Sequence, residues 1–317
     1  MKTPVTPRIF TAAETRELLP LPDLIQAVGR AFREQHTAAK RLVIPDDDQD
    51  WVVMPGLTAD GGMLCKLLRV GDGLHGSTAV PTMSGAVLAL DRNGQVRALL
   101  DGGALTAMRT AAVAGYATSL LADPDASVLA VFGAGRLAET HVAAIASVRP
   151  LSEIRVVGRS AARLHTFCAR LESLGYAALP SDPRRALEGA EIVVTVTTAE
   201  SPVFSDADVA DGVHINAMGS YRPERAEVPA ETVVRARVIV ETRESAWLEA
   251  GDLIQPRDAG LIDERHVWAE LREHERIATL RRLEPDAVTL FKSVGHVALD
   301  LVALEVALDQ FAARQRA

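Results

Sequence analysis

A glycine-rich run at residues 131–138 has the composition and spacing of a phosphate-binding turn. The run is Val131-Phe132-Gly133-Ala134-Gly135-Arg136-Leu137-Ala138, between a short apolar segment and a segment of helical periodicity. Gly133 allows a tight turn, Gly135 lets the backbone approach a pyrophosphate, and Ala138 allows close packing of helix and strand. Anions are also favoured at a helix N-terminus. The run predicts a dinucleotide-binding site, with a purely structural turn as the alternative.

The residues that follow the next predicted strand bear on which nicotinamide dinucleotide binds. The run Val156-Val157-Gly158-Arg159-Ser160 lacks the acidic residue that binds the ribose hydroxyls in most NAD sites. Arg159 and Ser160, with Arg163 nearby, could instead hold a 2′-phosphate. The sequence therefore predicts a preference for NADP. The alternative is that Arg159 is a solvated surface charge and that both NADP and NAD bind.

Lysine is rare among the 34 basic residues of the chain, which include only Lys2, Lys40, Lys66 and Lys292. A codon bias towards arginine would explain the skew. A lysine at an interior position, however, can do what arginine cannot, because a buried ammonium titrates readily. Lys66 lies in an apolar predicted strand, and Lys292 lies in the run Phe291-Lys292-Ser293-Val294-Gly295.

The overall composition excludes several classes of protein. The chain has 317 residues, 48% of them hydrophobic and 24% charged, which is typical of a globular protein of two domains. Its formal charge of −8 argues against a nucleic-acid partner. No stretch has the length and apolarity of a signal peptide or a membrane span. The two cysteines suggest a reducing cytoplasm, and the sequence contains no evident metal site.

The elements that must position these residues follow from periodicity and turn signals. The first third of the chain is a mixture of helices and strands, with a hairpin turn at Asn93-Gly94. From residue 127 onwards strands and helices alternate, which predicts a doubly wound parallel sheet, the Rossmann form of the α/β class. The run 192–197 is nearly all β-branched, as in a strand buried on both faces. The predicted helices are 11–19, 23–33, 105–121, 136–147, 161–174 and 294–313, and the last of them is apolar on one face through Val297, Leu301, Leu304 and Leu308. The predicted strands are 51–54, 63–70, 85–90, 96–100, 127–132, 153–157, 192–197, 214–218 and 236–241.

Three segments of the chain resemble the ornithine cyclodeaminase/μ-crystallin family. They are Leu99-Leu100-Asp101-Gly102-Gly103-Ala104-Leu105-Thr106-Ala107-Met108-Arg109-Thr110-Ala111-Ala112, then Phe132-Gly133-Ala134-Gly135, then Phe291-Lys292-Ser293-Val294-Gly295. The resemblance implies a homodimer with two domains. Residues 1–120 and a C-terminal helix at about 296–317 would form an α+β domain for substrate binding and dimerisation, and residues 121–295 the Rossmann domain.

By the same resemblance, Arg41, Lys66 and Arg109 match the cations that hold the substrate carboxylate. A fixed carboxylate orients C2 of the substrate towards the nicotinamide, and charge-assisted hydrogen bonds provide that orientation. Lys66 could also stabilise or deliver a proton, so it is the candidate catalytic residue. Alternatives are a snorkelling surface position for Lys66 and a structural salt bridge for Arg109. Thr82 is a candidate for the pocket lining.

One position departs from the family pattern. In the cyclodeaminases of the family a catalytic Asp follows an Asn-Ala-x-Gly turn, but the run here is Asn216-Ala217-Met218-Gly219-Ser220-Tyr221. Tyr221 is a poor base near neutral pH. The chain therefore resembles the ketimine and pyrroline-2-carboxylate reductases, which imply reduction of Δ1-pyrroline-2-carboxylate or Δ1-piperideine-2-carboxylate. A cyclodeaminase, an amino-acid dehydrogenase and a non-catalytic μ-crystallin-like binding protein remain alternatives.

Other cofactor candidates lie at predicted strand ends or in the matched motifs. Ligands bind at the carboxyl ends of strands in open α/β sheets. His75, His214 and His296 are each interpreted as more typical of a structural or exposed histidine than of a functional one. The cofactor candidates not yet assigned a role are Thr110, Thr197, Thr198, Met218, Gly219, Lys292, Ser293, Val294 and Gly295.

Overall fold

The chain forms two units, each built on its own β-sheet. The computed structural model describes residues 7–33, 37, 39–46, 49–71 and 83–316. The first unit comprises Met1–Thr110 with His296–Ala317, and the second comprises Ala111–Gly295. The boundary between Thr110 and Ala111 falls inside a single helix, Gly102–Leu121.

The elements are numbered here in chain order over the described residues. The strands are β1 Arg8–Phe10, β2 Leu42–Asp46, β3 Gln49–Leu57, β4 Met63–Gly71, β5 Met83–Leu90, β6 Val96–Asp101, β7 Val128–Phe132, β8 Glu153–Val157, β9 Ala178–Pro180, β10 Ile192–Thr195, β11 His214–Ala217, β12 Arg237–Val240, β13 Val267–Glu270 and β14 Thr289–Lys292. The helices are α1 Ala12–Glu17, α2 Leu21–Ala31, α3 Gly102–Leu121, α4 Arg136–Ala146, α5 Ala161–Ser173, α6 Pro183–Leu187, α7 Ala230–Arg235, α8 Arg243–Glu249, α9 Gly251–Asp258, α10 His274–Leu283 and α11 Val297–Arg316.

The sheet of the first unit has the strand order β1-β6-β5-β4-β3-β2. Strand β1 is parallel to β6, and the other neighbours are antiparallel. Side chains alternate between the two faces, so that Leu64, Lys66 and Leu68 are buried on the inner face while Leu67 is exposed on the outer face. Helix α11 packs against α2 and β3. Lys66 therefore lies on the buried side of the sheet.

The sheet of the second unit is parallel throughout, in the order β13-β12-β14-β11-β10-β7-β8-β9. The chain leaves β7 for β8 on one side and returns to β10 on the other side, which makes β7/β10 the switch point of a Rossmann sheet. The predicted doubly wound parallel sheet is thus confirmed. All four residues of β10 are buried, as the β-branched run predicts, although β10 ends at Thr195 rather than at Thr197.

Several elements differ from the sequence prediction. The central strand β14, paired with β11 and β12, was not predicted, because four residues ending in a lysine carry no strand periodicity. The prolines after α1 also start α2, where Pro22 lies in the first turn. The last helix was predicted to be apolar on one face. Instead, every residue from Val297 to Leu304 is buried, including Asp300.

Candidate active site

The turn after β7 has the conformation that its glycine requires. Gly133 has φ +120°, and its N–H donates to the carbonyl oxygen of Val157 over 2.9 Å. A Cβ atom at this position would lie 2.7 Å from the carbonyl oxygen of Val196. Both the left-handed φ and the close approach of the residue that follows β10 exclude other residues at this position. The turn thus brings the chain directly to the N-terminus of α4.

Gly135 caps α4 and leaves its N-terminus open. It has φ −102° and ψ −177°, and no side chain caps the helix. A Cβ atom built on Gly135 would meet nothing within 4 Å. Ala138 is fully buried in the first turn of α4, while Arg136 is exposed. A pyrophosphate fits this arrangement, because the uncapped N–H groups and the helix dipole both favour an anion.

The end of β8 carries exposed basic residues. Arg159 and Arg163 are exposed, and the Ser160 side chain caps α5 by accepting a hydrogen bond from the Arg163 N–H over 3.4 Å. The helix N-terminus and two guanidinium groups therefore lie where a Rossmann fold holds the adenosine ribose.

A buried ion pair occupies the inner face of the first unit. The Nζ atom of Lys66 donates to both carboxylate oxygens of Asp300, at 2.8 and 2.7 Å, and both side chains are completely inaccessible to solvent. Lys66 comes from β4 and Asp300 from α11. The sequence predicted Lys66 as a site residue, but it did not predict a partner for it.

Arg109 lies next to the same carboxylate. Its Nε atom is 3.0 Å from Oδ1 of Asp300, an ion-pair contact whose angles fall outside those of a hydrogen bond. Helix α3 positions Arg109, and the Asp101 carboxylate caps this helix by accepting from the Ala104 N–H at 2.7 Å. A Cβ atom on Gly102 would lie 2.9 Å from the Gly85 backbone, so the helix starts against β5.

The charges of this cluster perturb the protonation of Lys66. Burial lowers the pKa of Lys66 to about 7; Arg109 acts in the same direction, Asp300 opposes it, and Arg41 lowers it further. The predicted cations Arg41, Lys66 and Arg109 are therefore close enough to interact electrostatically. With Asp300 they form what we call the cation cluster.

Glu227 organises the loops that follow β10 and β11. Its Oε1 accepts from the N–H and the hydroxyl of Thr197, both at 2.7 Å, and its Oε2 accepts from the N–H of Gly219 at 2.7 Å. Glu227 is fully buried, and burial raises its pKa. One carboxylate thus fixes two predicted cofactor residues at the carboxyl edge of the sheet.

Lys292 belongs to the same buried network. Its Nζ atom is 2.8 Å from Oδ2 of Asp252, in an ion pair outside hydrogen-bond angles, and it donates to the carbonyl oxygen of Ser220 at 2.6 Å. The other oxygen of Asp252 accepts from the N–H of Glu227 at 2.6 Å. Lys292 therefore compensates the buried charge of Asp252 and holds the loop at Ser220.

A fourth buried carboxylate, that of Glu241, holds the predicted 293–295 segment. Glu241 accepts from the Ser293 hydroxyl at 2.8 Å and from the N–H groups of Val294 and Gly295 at 3.2 and 2.9 Å. Glu241 ends the strand segment 236–241 predicted from the sequence. An acidic residue at the carboxyl end of a buried strand was a signal for this role that the sequence analysis did not use.

The remaining candidates have varied environments. Thr110 and Met218 are buried, and Thr198 is exposed. His214 is fully buried, its Nδ1 lies 2.9 Å from the Thr289 hydroxyl, and burial lowers its pKa to about 3, as for a neutral structural histidine. His296 accepts from the Ala298 N–H at the start of α11. Thr82 and His75 lie outside the described residues.

Asp300 is the main site residue that the sequence analysis missed. It lies three residues after Val297 and four before Leu304, on the apolar stripe predicted for the last helix. A charged residue at such a position requires a buried partner. Glu227 lies in an irregular segment and gave no such signal. Within the described ranges, His, Cys, Asp and Glu side chains form no cluster with metal-binding geometry, and no helix could cross a membrane.

The second unit, with its glycine turn at the switch point, defines a dinucleotide-binding protein of the Rossmann type. A sequence model of the ornithine cyclodeaminase/mu-crystallin family matches residues 6–315, so the chain belongs to this family. This confirms the resemblance found in the sequence.

Two curated relatives and one solved structure illustrate the similarity. The chain is 34% identical to the Delta(1)-pyrroline-2-carboxylate/Delta(1)-piperideine-2-carboxylate reductase of Azospirillum brasilense, over 97% of both chains. It is 34% identical to the ketimine reductase mu-crystallin of Mus musculus, over 82% of this chain and 80% of the relative. The structure of Thermococcus litoralis Delta(1)-pyrroline-2-carboxylate reductase in complex with NADH and L-proline matches with a TM-score of 0.89 and 27% identity, over 97% of this chain and 98% of that one.

Proposed function

We propose that the chain is an NAD(P)H-dependent reductase of cyclic α-imino acids. It would convert Δ1-pyrroline-2-carboxylate to L-proline, Δ1-piperideine-2-carboxylate to L-pipecolate, or both. The names of the relatives from Azospirillum brasilense and Mus musculus, and the ligands of the Thermococcus litoralis structure, support this reaction class. The free thiols Cys65 and Cys168 fit a reducing cytoplasm.

The cation cluster carries the proposal. Two buried cations, Lys66 and Arg109, against the one carboxylate of Asp300 leave a net positive charge on the buried face of the first unit, which suits a small carboxylate. Arg109 turns its Nε towards Asp300, so we assign the paired Nη groups to the substrate carboxylate, which a guanidinium binds bidentately. A lysine ammonium has three donors. Asp300 takes two from Lys66, and we assign the third to the substrate.

The reduction requires few further groups from the protein. A nicotinamide dinucleotide, when bound, would supply a hydride to C2 of the ring; the imine nitrogen enters the step already protonated, the C=N π bond breaks, and its electron pair stays on the nitrogen of the product amine. Arg109 and Lys66 hold the carboxylate, and the ring is thereby oriented for that addition. The electrostatic field of the cluster is already in place before the substrate arrives, so no reorganisation of charges is needed.

Tyr221 favours reduction over cyclodeamination. It occupies the position of the catalytic Asp of the cyclodeaminases, and its half-buried ring packs against the hydrophobic core of the second unit. The deciding assay follows NADPH oxidation with pyrroline-2-carboxylate, with piperideine-2-carboxylate, and with pyruvate plus ammonia. Turnover of either cyclic imine is the expected result. Oxidation with none of them would overturn the proposal, and release of ammonia from ornithine would support a cyclodeaminase instead.

We further propose that NADPH is preferred over NADH, because Arg159 and Arg163 flank the N-terminus of α5. Arg159→Asp should lower the NADPH/NADH ratio of kcat/KM by about 10–100-fold, since a charged contact contributes about 1.5–3 kcal/mol. Steady-state kinetics with both cofactors measure the ratio. Arg170→Asp, which makes the same charge reversal at an exposed position near the other end of α5, is the control and should leave the ratio unaltered. An unaltered ratio for Arg159→Asp would contradict the assignment.

The outer face of the first sheet is our candidate dimer surface. Cross-strand pairs place Leu42, Val53, Leu67 and Ala86 in one row across β2, β3, β4 and β5. Exposed large apolar side chains continue on this face at Ile44 and Trp51. A wide exposed apolar face of this kind indicates an interface, and we propose a second copy of the chain as its partner.

Leu67→Glu should convert the dimer into a monomer. A two-fold interface places the new carboxylate on both copies, and charges in such a surface destabilise association by several kcal/mol, about a thousandfold in the dimer dissociation constant. Light scattering after size exclusion measures the mass. Leu174→Glu is the matched control, because Leu174 in the second unit has the same 45% exposure. An unchanged mass for Leu67→Glu would reject this surface.

A further inference from the structure

The buried partner of Lys66 suggests a role for α11 in the reaction. We propose that Asp300 is a positioning residue that keeps Lys66 in its ammonium form, the form able to bind the substrate carboxylate. This inference rests on the proposed function and deepens it. Asp300 would not touch the substrate; it would act through Lys66.

The geometry of the pair supports this role. Both oxygens of Asp300 accept hydrogen bonds from Nζ, at 2.8 and 2.7 Å, which orients the ammonium as well as compensating its charge. Both side chains are fully buried, and a buried ammonium without a counter-charge loses its proton. Asp300 also lies 3.0 Å from Nε of Arg109, so that a single carboxylate aligns two proposed substrate cations.

The other charges around Lys66 make the carboxylate necessary. Arg109 from α3 and Arg41 before β2 both disfavour the ammonium, as does burial, and Asp300 from α11 is the group that opposes them. With Asp300 in place the pKa of Lys66 is about 7. Removing it leaves two guanidinium groups and burial acting in the same direction. The charged form of Lys66 would then be lost at neutral pH.

The scarcity of lysine makes the charge state of Lys66 directly measurable. Lysine labelled with ¹³C at Cε gives four signals, from Lys2, Lys40, Lys66 and Lys292, and Lys66→Met identifies the signal of interest. We expect the Lys66 signal to titrate near pH 7 in the wild type. In Asp300→Asn its midpoint should fall by about one to three pH units, the effect of removing an adjacent opposite charge. A midpoint that does not move would overturn the proposal.

Controls separate this effect from a general loss of structure. Asp309→Asn removes a carboxylate from an exposed position of the same helix and should leave the Lys66 midpoint unchanged. Asp300→Glu keeps the charge and should restore a midpoint near that of the wild type. If Asp300→Asn does not fold, Asp300→Ser, which is neutral and smaller, replaces it in the same titration.

The kinetic readout tests the consequence for the substrate. In the wild type, kcat/KM for pyrroline-2-carboxylate should fall as the pH rises through the Lys66 midpoint. In Asp300→Asn this decrease of kcat/KM should occur at a lower pH, by the same shift as in the NMR titration. The ionisation of the substrate is the same for both proteins and therefore does not contribute to the difference. If the pH dependence of kcat/KM stays unchanged while the Lys66 midpoint moves, Asp300 has no role in the reaction through Lys66. Absence of any wild-type turnover would reject the proposed function alone, since the NMR titration does not depend on it.

Discussion

Gly135→Asp is expected to weaken dinucleotide binding severely without lowering the free energy of unfolding. Gly135 is the N-cap of α4, has an extended conformation open to any residue, and has no atom within 4 Å of its Cβ position. Asp is among the best N-cap residues, so the helix gains a few tenths of a kcal/mol. The new carboxylate, however, would lie where we place the pyrophosphate. The affinity for the dinucleotide should therefore fall while the free energy of unfolding rises slightly.

The size of the binding defect follows from electrostatics. Two like charges about 4 Å apart repel by about 4 kcal/mol at an effective dielectric constant near 20, or about a thousandfold in the dissociation constant of the dinucleotide. Isothermal calorimetry with NADPH measures binding, and chemical denaturation measures stability.

Gly135→Asn separates the charge from the size of the new side chain. Asn caps a helix as well as Asp does, but it is neutral, so its binding defect should be clearly smaller. Equal defects for the two variants would indicate steric exclusion. Undiminished affinity in Gly135→Asp would show that the phosphates do not sit at this helix.

Lys66→Met should destabilise the first unit as well as reduce catalysis. It leaves Asp300 buried beside Arg109 without the two hydrogen bonds from Nζ. Breaking one partner of a buried ion pair lowers the free energy of unfolding by about 3–5 kcal/mol. The same variant loses a proposed charged contact to the substrate carboxylate, so kcat/KM should fall by at least about tenfold. Urea denaturation and steady-state kinetics measure the two effects.

A double variant tests whether the two losses have separate causes. Lys66→Met with Asp300→Leu replaces the pair by apolar side chains, and such replacements are often neutral or stabilising. Because Arg109 loses its buried counter-charge Asp300 in this variant, we expect stability to recover only in part, while activity stays low. Recovery of activity together with stability would mean that Lys66 has only a structural role.

Local patterns in the sequence were sufficient to predict the parallel sheet and its glycine turn. A tight turn and a helix start are local features, because they depend only on residues a few positions apart. They require small residues at Gly133, Gly135 and Ala138, and that requirement is visible in the sequence. The cations of the first unit came from the resemblance to the family, since the surroundings of Arg41 and Lys66 carry no periodic signal of a site.

The carboxylates of the site were harder to predict because their partners are distant in the chain. Asp300 is paired with a lysine 234 residues away, and Glu227 accepts from Thr197 across 30 residues. Strand β14 is similar, because it is defined by its neighbours β11 and β12 rather than by its own residues. Tertiary pairing alone gives these residues their roles.

The first unit is assembled from two segments that flank the second unit in the chain, which determines the order in which its parts are synthesised. During translation, residues 7–110 leave the ribosome long before α11 does, and Lys66 then has no carboxylate to pair with. The inner face of the first sheet stays incomplete until the whole second unit has been made. The nascent second unit can fold first, because domains fold as units. Helix α11, which is synthesised after the second unit, therefore both supplies the counter-charge of Lys66 and completes the core around it.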